Sequence, residues 1–310
     1  MTTRVFFATD VHGSERCWIK FVNAGKFYQA NVTILGGDMT GKAMIPLLRK
    51  GGDYEASFGG GKWSQPVDKV NELEKMIRDK GYYPYKTSPE EIEELKASPQ
   101  KMDALFTHLM TEETKKWMRI ADEKLKGSNV KCFVCPGNDD IPEIDGIIEQ
   151  SETVVNASGK VVAVDAHHEM ISLGWTNPSP WKSYKECSED ELLKKIESLV
   201  SQLKDVKKSV FNLHAPPYGT GLDDAPEIDE TLKQSSRFAR AVGSTAVKDS
   251  IEKYGPLLGL HGHVHEAKGF TKIGRTLCVN PGSTYERGTL LGVLIELGDS
   301  KVENYMPVVG

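Results

Sequence analysis

The chain has 310 residues, of which 39% are apolar and 27% charged, and it carries a formal net charge of −5 at pH 7. This length is enough for about two domains, or for one large α/β domain that contains an insertion. The lack of a basic excess argues against a nucleic-acid partner, and no apolar run approaches the roughly 18 residues of a membrane span. We therefore expect a soluble protein that binds neither nucleic acid nor a membrane.

The amino-terminal segment and the cysteines predict a cytoplasmic location. Residues 4–9 already form a strand-like run, without the apolar region and cleavage site of a signal peptide. The five cysteines are an odd and sparse set for a disulfide framework, which agrees with a reducing compartment.

Five short apolar segments are predicted to be β-strands, and residues that can bind a metal follow each of them. In chain order these are residues 4–9 with Asp10 and His12, residues 31–35 with Asp38, residues 131–135 with Asn138 and Asp139, residues 208–213 with His214, and residues 257–260 with His263 and His265. The carboxyl ends of strands in an open α/β sheet share one crevice, where such folds build their sites. We therefore expect an α/β fold in which these side chains converge.

Three further patterns predict local structure. Residues 257–260 lead into a histidine pair, and a strand continuing through it would place both imidazoles on one face, because strand side chains alternate. Residues 153–164 read as a β-hairpin with its turn at 156–159. Ser188 begins a helix that runs to about residue 203.

Residues 41–127 form a predicted insertion between two of the strands. A glycine-rich hairpin at 51–61 is followed by helices over 67–80, 89–97 and 102–126. The segment carries 16 Lys or Arg against 15 Asp or Glu, so it is not a basic surface for nucleic acid. Since it separates two strand-end ligands, we expect it to act as a lid beside the crevice or as a contact in a homo-oligomer, within a single domain spanning 1–310.

The candidate ligands supply oxygen and nitrogen but no thiolate, which favours Mn²⁺, Fe²⁺ or Zn²⁺ over a structural zinc site. Of these three we favour Mn²⁺. The full set is Asp10, His12, Asp38, Asn138, His214, His263 and His265. Seven ligands are too many for one catalytic ion. Two divalent ions that share one carboxylate account for the number, and such pairs lie roughly 3.5–4 Å apart and promote displacement at phosphorus.

Five motifs resemble those of the calcineurin-like metallophosphoesterases, particularly the smaller prokaryotic members. In that family D-x-H, G-D, G-N-H-[DE], H and G-H-x-H follow one another in this order, and their counterparts here begin at Asp10, Gly37, Gly137, His214 and Gly262. The resemblance spans nearly the whole chain. It implies a four-layer αββα sandwich of the metallophosphoesterase type, here with a mainly helical insertion.

The resemblance also implies ligand sets and an activity. One metal would bind Asp10, His12, Asp38 and His265, and the other would bind Asp38, Asn138, His214 and His263, with Asp38 as the bridge. The implied enzyme is a metal-dependent phosphoric ester hydrolase. We expect a phosphodiesterase that cleaves a small phosphorylated or nucleotide substrate by attack of a metal-bridging hydroxide.

The chain departs from the family pattern at Asp139, where the family has a histidine thought to protonate the leaving group. An aspartate beside two dications is ionised at neutral pH and is a poor acid. Three interpretations stay open: the substrates have good leaving groups, another acid replaces the histidine, or Asp139 orients a metal ligand. The other histidines considered as acids are His108, His167 and His168.

Three alternative functions compete with a phosphodiesterase. A phosphomonoesterase would use the same metals. A catalytically weak scaffold would keep the metals and bind a protein partner. A nuclease would need Lys and Arg for the phosphate backbone, which the charge balance does not provide.

Overall fold

The structure is a computed structural model that describes residues 2–228 and 234–310. Its helices are α1 (Glu15–Phe27), α2 (Val70–Asp79), α3 (Pro89–Ala97), α4 (Pro99–Leu125), α5 (Glu143–Ile148), α6 (Glu189–Val200) and α7 (Thr245–Tyr254). Its strands up to the middle of the chain are β1 (Thr3–Ala8), β2 (Val32–Leu35), β3 (Ala43–Lys50), β4 (Asp53–Phe58), β5 (Gly61–Pro66), β6 (Tyr82–Thr87), β7 (Lys131–Val134), β8 (Val154–Asn156) and β9 (Val161–Ala163). The later strands are β10 (Glu169–Leu173), β11 (Val210–Leu213), β12 (Asp224–Ile228), β13 (Gln234–Ala241), β14 (Leu258–Leu260), β15 (Gly269–Ile273), β16 (Thr276–Asn280), β17 (Leu291–Leu297) and β18 (Val302–Val309).

Two six-stranded mixed sheets dominate the fold. The first has the order β18-β17-β1-β2-β7-β8, with β1, β2, β7 and β8 parallel to one another. The strand β17 is antiparallel to both of its neighbours, β1 and β18. The second has the order β15-β16-β14-β11-β10-β9, with the four central strands parallel and the two edge strands antiparallel. The central strands are short and nearly continuous in apolar residues, which is typical of parallel strands that are buried on both faces.

The two sheets pack against each other through an apolar core. Phe7 and Ile34 of the first sheet belong to the same buried cluster as Val210, Leu260 and Val279 of the second. A second cluster joins the opposite face of the first sheet to α1, α4 and α5, and a third joins the second sheet to α6 and α7. The predicted α/β fold is therefore confirmed.

Local signals explain where α1 and α6 begin. The Ser14 hydroxyl accepts a hydrogen bond from the backbone N–H of Cys17 and begins α1, as a side chain at this position commonly does. Trp18 of α1 is buried and stacks on Trp117 of α4 with ring centroids 5.0 Å apart. Ser188 and Glu191 form a reciprocal capping pair at the start of α6, which confirms the predicted helix start.

Among the described residues, no helix combines the length and apolar character needed to cross a membrane.

Residues 41–127 contain the three predicted helices as α2, α3 and α4, together with a sheet that was not predicted from the sequence. That sheet has the order β5-β4-β3-β6, so the glycine-rich hairpin is one part of a four-stranded unit. It has its own apolar cluster, in which Leu47 and Phe58 pack against Leu73 and Ile77 of α2. The role of this segment as a lid or an oligomer contact stays a prediction.

The hairpin predicted over residues 153–164 is wrong. Its two strands lie in different sheets, because β8 pairs with β7 in the first sheet and β9 pairs with β10 in the second. The residues between them cross from one sheet to the other, and Ala157 is buried in the core that the sheets share. Asn156 and Ser158 form a local turn, but this turn directs the chain into a crossover.

We predict that Ile34→Ala lowers the free energy of unfolding by roughly 2–5 kcal/mol, because it empties part of the core between the sheets. Ile34 is 1% exposed, whereas Val155 on the edge strand β8 is 45% exposed and provides the matched control. Urea unfolding followed by circular dichroism measures both variants. A loss for Ile34→Ala no larger than that for Val155→Ala would contradict the packing of the two sheets.

Candidate metal centre

The structure brings the seven candidate ligands together at the carboxyl ends of the central strands. Two separate groups of potential ligand atoms each lie within 4.8 Å of one another, the first from Asp10, His12 and His265, the second from Asp38, His214 and His263. A third group overlaps both and consists of His12, Asp38 and Asp139. Five of the seven candidate ligands are buried, and the two histidines that follow β14 are partly exposed. Such a set of carboxylates and imidazoles could hold metal ions.

The first group centres on the Asp10 carboxylate. Its Oδ1 lies 3.4 Å from His265 Nε2 and 3.8 Å from His12 Nε2. The two imidazole Nε2 atoms are 3.0 Å apart. These three potential ligand atoms, Asp10 Oδ1, His12 Nε2 and His265 Nε2, therefore surround one point, as the ligands of a single ion do.

The Asp38 carboxylate lies between the two groups. Its Oδ2 is 3.3 Å from His214 Nε2 and 3.6 Å from His12 Nε2, so it approaches one histidine of each group. Its Oδ1 accepts a hydrogen bond from the backbone N–H of Asp139 at 3.0 Å. Asp10 Oδ1 also approaches the other group, at 3.9 Å from His214 Nε2, so Asp38 is the carboxylate that comes closer to the histidines of both groups.

Buried imidazole nitrogens support the fit of the site to a metal. Among the described residues, His12 Nδ1 and both ring nitrogens of His214 are buried and have no hydrogen-bond partner of good geometry. Buried polar atoms are normally satisfied, and each exception needs an explanation. Ligation explains His214 Nε2, since this atom already faces the Asp38 carboxylate.

Asn138 extends the second group. Its Oδ1 lies 2.9 Å from His263 Nδ1, and its Nδ2 donates to Asp139 Oδ1 at 3.1 Å. The amide oxygen, which is the atom that can ligate a cation, is thereby directed towards the histidines.

Backbone strain is concentrated at the candidate ligands. Among the described residues, Asp10, His12, Asp38 and His263 are four of the six non-glycine residues with positive φ, at 54°, 37°, 46° and 68°. This conformation is uncommon for such residues, and it persists only where the surroundings enforce it, as at functional sites.

The loops after β1 and β2 are held side by side by backbone hydrogen bonds. The N–H of Asp10 donates to Gly37 O at 3.0 Å, and that of His12 donates to Asp38 O at 3.0 Å. Close approach also requires Gly137, where an added Cβ would lie 2.2 Å from Asp38 Oδ1. The ligand positions are therefore fixed by loops that interlock.

The prediction that His263 and His265 share one face of a strand is wrong. The strand β14 ends at Leu260, and both histidines lie in the loop that follows it. The backbone N–H of His263 donates to both oxygens of Asp10, at 3.2 and 3.1 Å. In this loop conformation the imidazole of His265 lies in the first ligand group and that of His263 lies in the second.

Charge in the site is set by its two carboxylates. Burial alone would raise the pKa of Asp10, but the nearby His214, His265 and His12 lower it far below its ordinary value. The pKa of Asp38 is also lowered against burial, mainly by His214. For His214 burial favours the neutral form, yet Asp38 and Asp10 prevail and raise its pKa to about 9. Burial lowers the pKa of His263 to about 4, so this histidine is neutral.

Sequence reasoning missed Asp140, which connects two of the ligand loops. Its carboxylate accepts hydrogen bonds from the backbone N–H groups of Met39, Thr40 and Gly137, at 3.0, 2.7 and 2.7 Å. It therefore fixes the loop that carries Asp38 to the loop that carries Asn138. Its place in the family motif was the available signal.

The histidines considered as acids do not line the crevice. His168 contacts Asp165 and the backbone carbonyl of Gly298, next to the start of β10 and away from the carboxyl ends of the strands. His167 lies near Asp299, and His108 is an exposed residue of α4. The crevice lining does include Lys42, which sequence reasoning did not single out.

The crevice above the ligands has a volume of about 630 Å³, within the range of small-molecule sites. Aromatic side chains form part of its wall, from Phe106 of α4 and from Trp181 and Tyr184 in the segment between β10 and α6. Trp181 and Tyr184 are more than half exposed. Lys42 and Lys182 provide positive charge in the same wall.

Comparisons with known proteins give a fold but no family. No family model matches the chain. An uncharacterized protein of Methanocaldococcus jannaschii, MJ1162, is 30% identical over 148 residues, which cover 47% of this chain and 61% of that protein. One crystal structure aligns over 99% of both chains with a TM-score of 0.59 and 17% identity. The protein TT1561 of Thermus thermophilus aligns over 100% of this chain and 99% of its own, with a TM-score of 0.55 and 14% identity.

We predict that Mn²⁺ binding to the metal-free protein at pH 7 releases protons from His214 and His265, because the pKa values of both imidazoles are raised and an imidazole must be neutral to ligate a metal. Because the pKa of His214 is raised to about 9, proton release from this residue decreases as the pH rises through that value. Titration calorimetry at pH 7 in buffers of different ionisation enthalpy measures it. A binding heat that is the same in all of these buffers would contradict the assigned charge of His214.

Proposed function

We propose that the chain is a dinuclear metal-dependent phosphoesterase, and specifically a phosphodiesterase of the metallophosphoesterase type. The position of the Asp38 carboxylate between two groups of Asp and His side chains carries the proposal. The two sheets with helices on their outer faces are consistent with the four-layer sandwich that the motif resemblance implies.

The ligands of each ion follow from the two groups. The proposed first set is Asp10, His12, Asp38 and His265, and the proposed second set is Asp38, Asn138, His214 and His263. Oxygen and nitrogen donors without thiolate favour Mn²⁺, with Fe²⁺ and Zn²⁺ as alternatives. When bound, two divalent ions supply positive charge for phosphoryl oxygens and lower the pKa of a coordinated water.

The protein itself contributes position and charge. Asp10 and Asp38 are ionised, and His12 and His263 have pKa values lowered by burial, so these side chains are ready to ligate. Interlocked loops fix the ligands before substrate arrives, which lowers the cost of reorganisation during reaction.

The crevice supports a small phosphorylated substrate that carries a planar apolar group, and we favour a nucleotide diester. Phe106, Trp181 and Tyr184 offer aromatic surface next to the ligand groups, and bases stack readily on such side chains. Lys42 and Lys182 in the same wall suit an anion.

We predict that the Mn²⁺-loaded protein hydrolyses bis(p-nitrophenyl) phosphate faster than p-nitrophenyl phosphate. In Asp38→Ala we expect kcat/KM to fall by about 1,000-fold or more, because the shared carboxylate and both ions are lost. Steady-state absorbance at 405 nm follows hydrolysis, and elemental analysis counts the metals in each variant.

Asp249→Ala is the matched control, since Asp249 is a carboxylate on α7, away from the ligand loops. It should keep both activity and metals. Two tightly bound metals in Asp38→Ala would rule out the shared carboxylate. Equal or faster cleavage of the monoester by the wild type would replace the diesterase with a phosphomonoesterase.

A further inference from the structure

Lys42 and Asp139 form an ion pair in the crevice wall beside the proposed ligands. Lys42 Nζ lies 2.7 Å from Asp139 Oδ2, and their side chains are 47% and 22% exposed. Both residues line the same crevice as Asp38, Asn138 and His265. The ammonium therefore faces the space that a substrate of the proposed enzyme would enter.

Both carboxylate oxygens of Asp139 have donor partners. Its Oδ1 accepts from Ser183 Oγ at 2.6 Å and from Asn138 Nδ2 at 3.1 Å, and its Oδ2 receives Lys42. An amide NH₂ and an ammonium can only donate, so both carboxylate oxygens act as acceptors here. Asp139 is therefore a positioning residue for Asn138 and Lys42, which agrees with one of the three interpretations left open by the sequence.

The position of Lys42 is tied to the proposed metal ligands. Asp139 holds the ammonium through its side chain and donates its own backbone N–H to Asp38 Oδ1 at 3.0 Å. An ammonium has three N–H donors, and Asp139 takes one of them. The remaining donors are available to a ligand in the crevice.

We propose that Lys42 Nζ binds the leaving-group oxygen of the phosphoester and stabilises the negative charge that develops on it. In this role Lys42 replaces the histidine that is missing after Asn138. The inference rests on the proposed phosphoesterase function. It extends that function by assigning a catalytic residue that the family motifs do not contain.

The step balances with water alone. A bond forms between phosphorus and a water oxygen, and the bond between phosphorus and the leaving oxygen breaks, with its electron pair passing to that oxygen. Lys42 donates an N–H hydrogen bond to the oxygen as the charge grows. Water supplies the proton that the leaving alcohol finally carries, so no other reactant is needed.

The test compares Lys42→Met with wild type on two aryl phosphodiesters, whose leaving groups are p-nitrophenol and the much weaker acid phenol. A poor leaving group develops more negative charge and depends more on the donor. We expect kcat to fall about 100-fold on the phenyl ester, as when one preorganised donor is removed, and by less than about fivefold on the p-nitrophenyl ester. Lys182→Met is the matched control, since Lys182 lines the same crevice. We expect this variant to change kcat by the same factor on the phenyl ester and on the p-nitrophenyl ester.

A second measurement does not depend on turnover. Inorganic phosphate, titrated calorimetrically into the Mn²⁺-loaded protein, presents an oxygen at the leaving-group position. We expect Lys42→Met to weaken phosphate binding about tenfold through the loss of one charged hydrogen bond, while elemental analysis finds the same metal content as in wild type. Lys42→Arg keeps the charge and should retain most of the affinity.

The outcomes separate this inference from the proposed function. If wild type hydrolyses neither diester, the phosphodiesterase assignment fails, and the leaving-group role fails with it. If wild type is active but Lys42→Met slows both substrates equally, or Lys182→Met gives the same selectivity, the leaving-group role alone is overturned. Unchanged phosphate affinity in Lys42→Met excludes the contact with Lys42 directly.

Discussion

Two carboxylates buried among histidines are the constraint on which the candidate site depends. Asp10 and Asp38 are nearly inaccessible, and a buried carboxylate is costly unless positive charge or hydrogen bonds compensate it. Without metal, the protonated imidazole of His214 supplies part of that charge, which is why its pKa is raised to about 9. Two divalent ions would supply much more, and they would also give a partner to the buried Nε2 of His214.

The fold explains how such distant residues meet. Parallel strands of both sheets end at the same side of the molecule, so short loops after β1, β2, β7, β11 and β14 deliver their side chains to one crevice. The buried Asp140 carboxylate then connects the loop after β2 to the loop after β7, and backbone hydrogen bonds connect the loop after β2 to the loop after β1. The strain at Asp38 and His263 is sustained by this interlocking, since a flexible loop would relax it.

Much of this arrangement could be predicted from the sequence, because apolar strands end within three residues of Asp10, Asp38 and His214, and the carboxyl ends of parallel strands meet at one crevice. The paths of the histidines after β14 could not, since the hydrogen bonds from His263 to Asp10 join residues far apart in the chain. The crossover at 156–159 has the local pattern of a hairpin and differs only in the sheets that its strands join. The contact of Lys42 with Asp139 is likewise non-local and has no motif.

The most direct test of the shared carboxylate is an anomalous diffraction map from Mn²⁺-soaked crystals, collected above the manganese edge. We expect two peaks about 3.5–4 Å apart, as in other dinuclear sites, with the Asp38 carboxylate between them and His265 and His214 on opposite sides. A single peak, or two peaks that do not share Asp38, would contradict the dinuclear centre.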